Sequence, residues 1–215
     1  MNIFRRLIGR LKLKALGNNH IVGWHMTPEQ ACAFFARQRK TVLTLFGFSA
    51  GYEDEITMLQ TVRRILSNYS PETTLVNIGA TAGGIGRAYP LSKSLGFTTT
   101  GIVSTVALDN VEQISEAVDY ICFIADDQWG GKLPDSKYLS PTSHAMVTCS
   151  EILVGIGGGE VTRDELMAAR ALGKPVSFHP AEVKHEWAIQ NAQKDGLSKP
   201  ESFWGEAHEV FGPQE

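Results

Sequence analysis

The sequence predicts a doubly wound α/β domain: a mainly parallel sheet of about six or seven strands with helices on both faces. Three observations predict it. The candidate strands are short and apolar throughout, not alternating, as strands buried on both faces are. They alternate with segments of helical periodicity, which makes βαβ units. Three of the strands run straight into glycine-rich turns that lead into helices.

Taken in order, "MTPEQACAFFARQRK" opens a helix, with Thr27 as cap, Pro28 at the first helical position and Gln30 completing a capping box. "TVLTLF", residues 41–46, is the first core strand. "EDEITMLQTVRRILSNY" carries Ile56, Leu59, Val62, Ile65 and Leu66 at helical spacing. "TLVNIGA" is the second strand, and "GGIGRAYPLSKSLG" a turn into a helix disturbed by Pro90. "TTTGIVST" is the third strand. "LDNVEQISEAV" reads as a helix opened by an Asp109…Glu112 capping box. "DYICFIAD" is the fourth strand, "SHAMVTCS" a helical stretch and "EILVGIG" the fifth strand. "TRDELMAARALG" is a helix closed by Gly173, "PVSFHP" the sixth strand and "AEVKHEWAIQNAQK" the final helix. These elements divide the chain into a basic, helical extension over residues 1–40, the α/β domain over 41–195 and a tail over 196–215. The long loop "ADDQWGGKLPDSKYLSPTS" interrupts the pattern, and loops of that length in compact domains carry function or move.

Composition narrows the function. At 215 residues, 43% hydrophobic and 20% charged, the chain suits one globular domain with extensions. A net charge of −3 argues against a nucleic-acid partner. Cys32, Cys122 and Cys149 follow no metal spacing and suit a reducing, cytoplasmic setting. Cys122 lies in an apolar run and reads as a buried small hydrophobe. No run is long and apolar enough to span a bilayer. Residues 1–14, "MNIFRRLIGRLKLK", mix five cations with apolar residues, which allows a weak membrane-surface contact; the plainer reading is a helix packed on the domain or a loose end.

The glycine turns point to a ligand. In open α/β sheets ligands sit beyond the carboxyl ends of the strands, and a helix start offers unpaired N–H groups and partial positive charge. Three turns share that predicted edge: "GFSAGYEDE", "GATAGGIGR" and "GIGGGEVTRDE". They supply the candidate ligand-binding residues Gly47, Ser49, Gly51, Gly79, Thr81, Gly83, Gly84, Gly86, Arg87, Gly157, Gly158, Gly159, Glu160 and Thr162. Ser104 and Asp126, at the ends of the third and fourth strands, join them. Glycine lets a phosphate approach the backbone, and Arg87 could grip one with two hydrogen bonds. Each residue has a plainer reading too: turn, cap or solvated side chain. Trp129 could stack on a base or dock its own loop. Glu165 is either the reciprocal half of a cap with Thr162 or a carboxylate facing a ribose. His179 and His185 lack a third ligand in register, so no metal is expected. "GATAGGIG" fits neither the dinucleotide fingerprint nor a P-loop.

At these residues the chain resembles the SLOG superfamily, a Rossmann-like fold that includes the LOG phosphoribohydrolases. Gly158, Gly159, Glu160, Thr162 and Glu165 match the GGxGTxxE motif of LOG enzymes, with Val161 in place of the third glycine; Met146, Ser150 and Glu151 match the upstream pattern. "GATAGGIGR" and "FIADDQWGGK" are similar to the SLOG module of melastatin-type TRP channels. That branch implies a sensor or carrier of a nucleotide or ADP-ribose-like molecule, with no further cofactor required. The LOG branch implies the alternative, a nucleotide phosphoribohydrolase or other N-glycosidic-bond hydrolase or transferase with Glu165 as a catalytic residue. LOG enzymes carry an Arg-Lys pair where Thr142 and Ser143 stand here, so the expected catalytic arginine has no counterpart. The resemblance also implies a homodimer.

Overall fold

The computed structural model of the chain describes residues 10–14 and 20–213. Eight strands form one sheet: β1 (Arg10–Lys14), β2 (His20–Met26), β3 (Thr41–Gly47), β4 (Thr74–Ile78), β5 (Thr98–Ser104), β6 (Tyr120–Ile124), β7 (Ile152–Ile156) and β8 (Val176–His179). Their order across the sheet is β1-β2-β6-β5-β4-β3-β7-β8. Among the described strands only β1, at the edge, runs antiparallel to its neighbour. Among the described residues, seven α-helices complete the fold: α1 (Pro28–Gln38), α2 (Glu55–Leu66), α3 (Ala88–Ser94), α4 (Pro141–Thr148), α5 (Glu160–Ala171), α6 (His185–Lys194) and α7 (Glu206–Phe211). This is the doubly wound, Rossmann-like architecture that the sequence predicts.

Alternation along each strand builds two cores. Leu43 and Leu45 of β3 pack with Met58 and Val62 of α2 and Tyr89 of α3. Val42 and Phe46 point the other way, toward Ala31 and Phe35 of α1 and Ala145 and Met146 of α4. Each Val, Leu, Phe or Met among them, fully buried, contributes about 1.5–3 kcal/mol. The capping box of α1 forms as its sequence requires: Gln30 N–H donates to Thr27 Oγ1 at 3.3 Å and Thr27 N–H to Gln30 Oε1 at 2.9 Å.

Three local expectations change. Residues 10–14 and 20–26 are strands, not a helical extension; "HIVGWHM" is rich in β-branched and aromatic side chains and finds an open sheet edge beside β6. The membrane-surface reading rests on residues 1–14, of which 1–9 lie outside the described residues. No helix among the described residues is long and apolar enough to cross a membrane. Pro90 does not disturb α3, because it sits in the first turn, where an amide has no intrahelical acceptor. "LDNVEQ" is not an α-helix opened at Asp109. Ser104 caps five residues earlier, accepting from Val106 N–H at 3.1 Å, and a 3₁₀ stretch runs over Thr105–Gln113 with a kink at Asn110. Its far end is pulled back onto the turn after β4 by hydrogen bonds from Ala82 N to Gln113 O and from Ser115 N to Ala80 O.

The tail docks. α7 packs on α5, Phe203 stacks on His185 with ring centroids 3.9 Å apart, and Phe211 lies between Phe178 and the Arg170 guanidinium.

Candidate functional site

Parallel pairing puts the carboxyl ends of β3, β4, β5, β6 and β7 on one edge. From β3 the chain winds outward through β4, β5 and β6, then returns to the other side of β3 as β7. At that reversal the loops diverge and leave a crevice. A cavity of about 490 Å³ occupies it. Its walls are Gly47 and Ser49 after β3, Gly79 and Thr81 after β4, and Asn110 and Gln113 from the 3₁₀ stretch. Trp129 of the long loop, Thr142 and Met146 of α4, and Val161, Thr162 and Glu165 of α5 complete them.

Helix α5 lines this space from its first turn, through Val161 and Thr162. Its cap residue is Gly159, which has no side chain to satisfy the first-turn amides. Thr162 and Glu165, three residues apart, lie on one helix face, and both are buried. The capping reading of this pair therefore fails. The helix begins at Glu160, so Thr162 is already in its first turn and Glu165 lies one turn further in.

Glu165 Oε1 accepts a hydrogen bond from Ser143 Oγ at 2.6 Å, and Ser143 Oγ accepts from Gly131 N–H at 2.7 Å. Burial pushes the Glu165 carboxyl up to about 8; the neighbouring Asp164 charge pushes the same way, and the Ser143 hydroxyl opposes both. Asp164, also buried, is matched by Lys132 at 2.9 Å and Arg163 at 3.0 Å. At neutral pH the cavity thus presents a protonated acid, which donates a hydrogen bond as readily as it accepts one.

Thr142 is the odd member. It is 4% exposed, it faces the cavity, and its hydroxyl has no hydrogen-bond partner among the described residues. Its amide donates to Asp126 Oδ2 at 2.8 Å. Burial alone would raise the Asp126 pKa, but the amides of Thr142 and Gln128 outweigh it and hold the carboxyl below its ordinary range. The nearby Thr142 and Ser140 hydroxyls act in the same direction. Behind the cavity a polar row crosses the sheet. Asn77 Nδ2 donates to Thr44 Oγ1 at 3.1 Å and to Met146 Sδ at 3.4 Å, and Thr100 Oγ1 donates to Asn77 Oδ1 at 3.2 Å. No Lys or Arg lines the cavity among the described residues.

No protein family model matches the chain, and no curated protein matches it. Solved structures do. The molybdenum cofactor binding protein of Rippkaea orientalis is 22% identical over 65% of this chain and 76% of its own, with a TM-score of 0.48. A molybdenum cofactor carrier protein of Chlamydomonas reinhardtii is 20% identical over 74% of this chain and 86% of its own, with a TM-score of 0.46. The likeness is one of fold.

The structure divides the candidate residues. Gly47, Ser49, Gly79, Thr81, Thr162 and Glu165 meet at the cavity, as does Trp129. Others serve packing. Gly84, at φ 53°, lies so close to the turn after β3 that a Cβ would stand 1.9 Å from Phe48 O, and Ile85 N–H bonds that same carbonyl at 2.8 Å. Gly83 and Gly86 face the backbone of Ser49 and Thr81. Gly157, at φ 57°, would meet Ala181 O at 2.6 Å, and the Gly158 carbonyl accepts from Ala207 N–H of α7. Gly51 abuts Lys184. These glycines lie against other parts of the chain, and none of them lines the cavity.

Arg87 is exposed and paired with Glu55 at 3.2 Å, away from the cavity walls. Ser104 caps the 3₁₀ stretch and donates to Asp126 O, and Asp126 anchors the loop to α4. Glu160 is exposed toward a neighbouring depression, 3.6 Å from Arg163. His179 and His185 join no metal-competent cluster among the described residues. Sequence reasoning missed Asn110 and Gln113, because a helical reading of "LDNVEQ" assigns them to a solvated face.

Proposed function

We propose that this chain binds a phosphorylated, nucleotide-like small molecule, of the AMP or ADP-ribose kind, in the cavity at the carboxyl edge of its sheet. The observation that carries the reading is the uncapped start of α5 at a cavity whose wall holds an unpartnered, buried hydroxyl, that of Thr142. A phosphate on the first-turn amides of α5 would satisfy donors the protein leaves open, and the helix dipole would favour its charge. With no cation on the walls, the backbone meets the charge alone. Trp129 supplies a face for a ring, and Thr142, Asn110 and Gln113 supply directional polar contacts at the other wall.

Holding is favoured over cleaving. Stabilising positive charge on a ribose requires an ionised carboxylate, and Glu165 is protonated at neutral pH. Calorimetric titration with AMP, ADP-ribose and cyclic ADP-ribose tests the reading, with the molybdenum cofactor as a further arm. Thr142→Val should weaken binding of the preferred ligand about tenfold, the worth of one good hydrogen bond in a dry site. Absence of heat with every ligand overturns the proposal. Release of free base from a nucleotide, lost in Glu165→Gln, would favour hydrolysis instead.

A further inference from the structure

Away from the cavity, the fold brings together two cysteines 117 positions apart. Cys32, in the middle of α1, and Cys149, the residue that ends α4, place their sulfurs 2.6 Å apart. The Thr148 hydroxyl lies 3.4 Å from Cys32 Sγ. Lys174 Nζ donates to the Val147, Thr148 and Ser150 carbonyls, which fixes a positive charge at the end of α4 beside the pair. Cys32 is half-buried and open to small solutes, whereas Cys149 and Cys122 are buried. We propose that Cys32 and Cys149 are an oxidisable dithiol that a hydroperoxide converts to an intramolecular disulfide, pinning α1 to the carboxyl end of α4.

The chemistry follows from the arrangement. The contact with the Cys149 sulfur, in which either thiol can carry the shared hydrogen, draws the Cys32 pKa down to about 6 against the cost of burial; Thr148 and Lys174 act in the same direction. The Cys149 thiol is correspondingly raised. Cys32, the more exposed of the two sulfurs, is the thiolate that meets the oxidant, and buried Cys149 the partner that resolves it. Cys32 sulfur attacks the peroxide oxygen, the O–O bond breaks, and Cys32 becomes a sulfenic acid as the departing oxygen takes a proton and leaves as water or an alcohol. Cys149 sulfur then attacks the sulfenic sulfur, the S–O bond breaks, and a second water leaves with the Cys149 proton. Two thiols are oxidised and one peroxide is reduced, with no electron unaccounted for. The third cysteine stands apart: burial pushes the Cys122 thiol up to about 12, so it stays protonated and inert. The inference does not depend on the ligand reading above.

The test is stoichiometric hydrogen peroxide on the native, reduced protein, followed by alkylation of remaining thiols and peptide mapping. The expected result is loss of two of the three thiols, a Cys32–Cys149 linked peptide, a Cys122 peptide alkylated only after denaturation, and reversal by dithiothreitol. The oxidised protein should melt at higher temperature than the reduced one, because the bond closes a long loop. Cys122→Ser should crosslink like wild type. Cys149→Ser should leave Cys32 peroxide-reactive with no internal crosslink. Three intact thiols after treatment, a Cys32 that runs to sulfinic acid while Cys149 stays a thiol, or a crosslink through Cys122 would each overturn the proposal.

Discussion

The turns at residues 79–87 and 157–159 read alike in sequence, glycine-rich and poised between a strand and a helix, yet their glycines answer to different neighbours. At the start of the first turn, Gly79 has open space where a side chain would stand, and it lines the cavity. Further along, Gly84 is pressed against the Phe48 carbonyl. In the second turn, Gly157 and Gly158 are covered by Phe48, Ala181 and the docked tail. A glycine at a strand end signals close approach; only its surroundings tell whether a ligand or the chain itself approaches.

The strongest way to break this comparison is a single methyl group. Gly84→Ala forces a Cβ to within 1.9 Å of a backbone oxygen at a left-handed φ, and should cost about 3 kcal/mol or more by denaturant unfolding. Gly79→Ala meets nothing within 4 Å and should cost less than about 1 kcal/mol, while narrowing the ligand's space. Equal losses from the two would mean that both turns are built for packing.

A pH series sharpens the account of the wall opposite. Glu165 holds a proton in the folded chain up to about 8, above the 4.5 of an ordinary glutamate, so the folded state binds more protons than the unfolded one between those values. Its contribution to stability is complete below the lower value and is lost as pH rises through the upper one. Glu165→Gln should therefore flatten the fall in melting temperature across that window. It should gain on the order of 1–3 kcal/mol over wild type at the alkaline end and little at the acid end. A variant whose melting temperature tracks wild type across the window would place the buried proton elsewhere.

The smallest effect belongs to Arg87→Ala. The exposed pair with Glu55 should contribute less than about 1 kcal/mol, and ligand affinity should not change. A clear loss of affinity would return Arg87 to the site.

Much of the fold was legible in the sequence because burial on both faces writes an unbroken apolar run, as in "TVLTLF" and "YICFI", and because caps such as Thr27 and Gln30 act locally. The N-terminal strands were harder to read. Their pairing is long-range, β2 with β6, and "RLKLK" offers more cations than apolar residues. The site was legible as an edge, since glycines and hydroxyls cluster at strand ends, but not as a list of residues. Thr162 and Glu165 look like a cap until the helix start at Glu160 is known. Arg87 looks like a phosphate ligand until its helix is seen to turn it toward Glu55. Asn110 and Gln113 reach the cavity only because a 3₁₀ stretch replaces the helix their spacing suggests.

The most direct test of the nucleotide-binding reading is a backbone amide NMR titration of the whole chain with whichever nucleotide gives calorimetric heat. The account predicts that the amides of Gly79, Thr81, Glu160, Val161 and Thr162 shift with ligand, while those of Gly84 and Gly157, already committed to the chain's own packing, stay in place. Shifts confined to Gly84, Gly157 and the tail, with none along the first turn of α5, would contradict it.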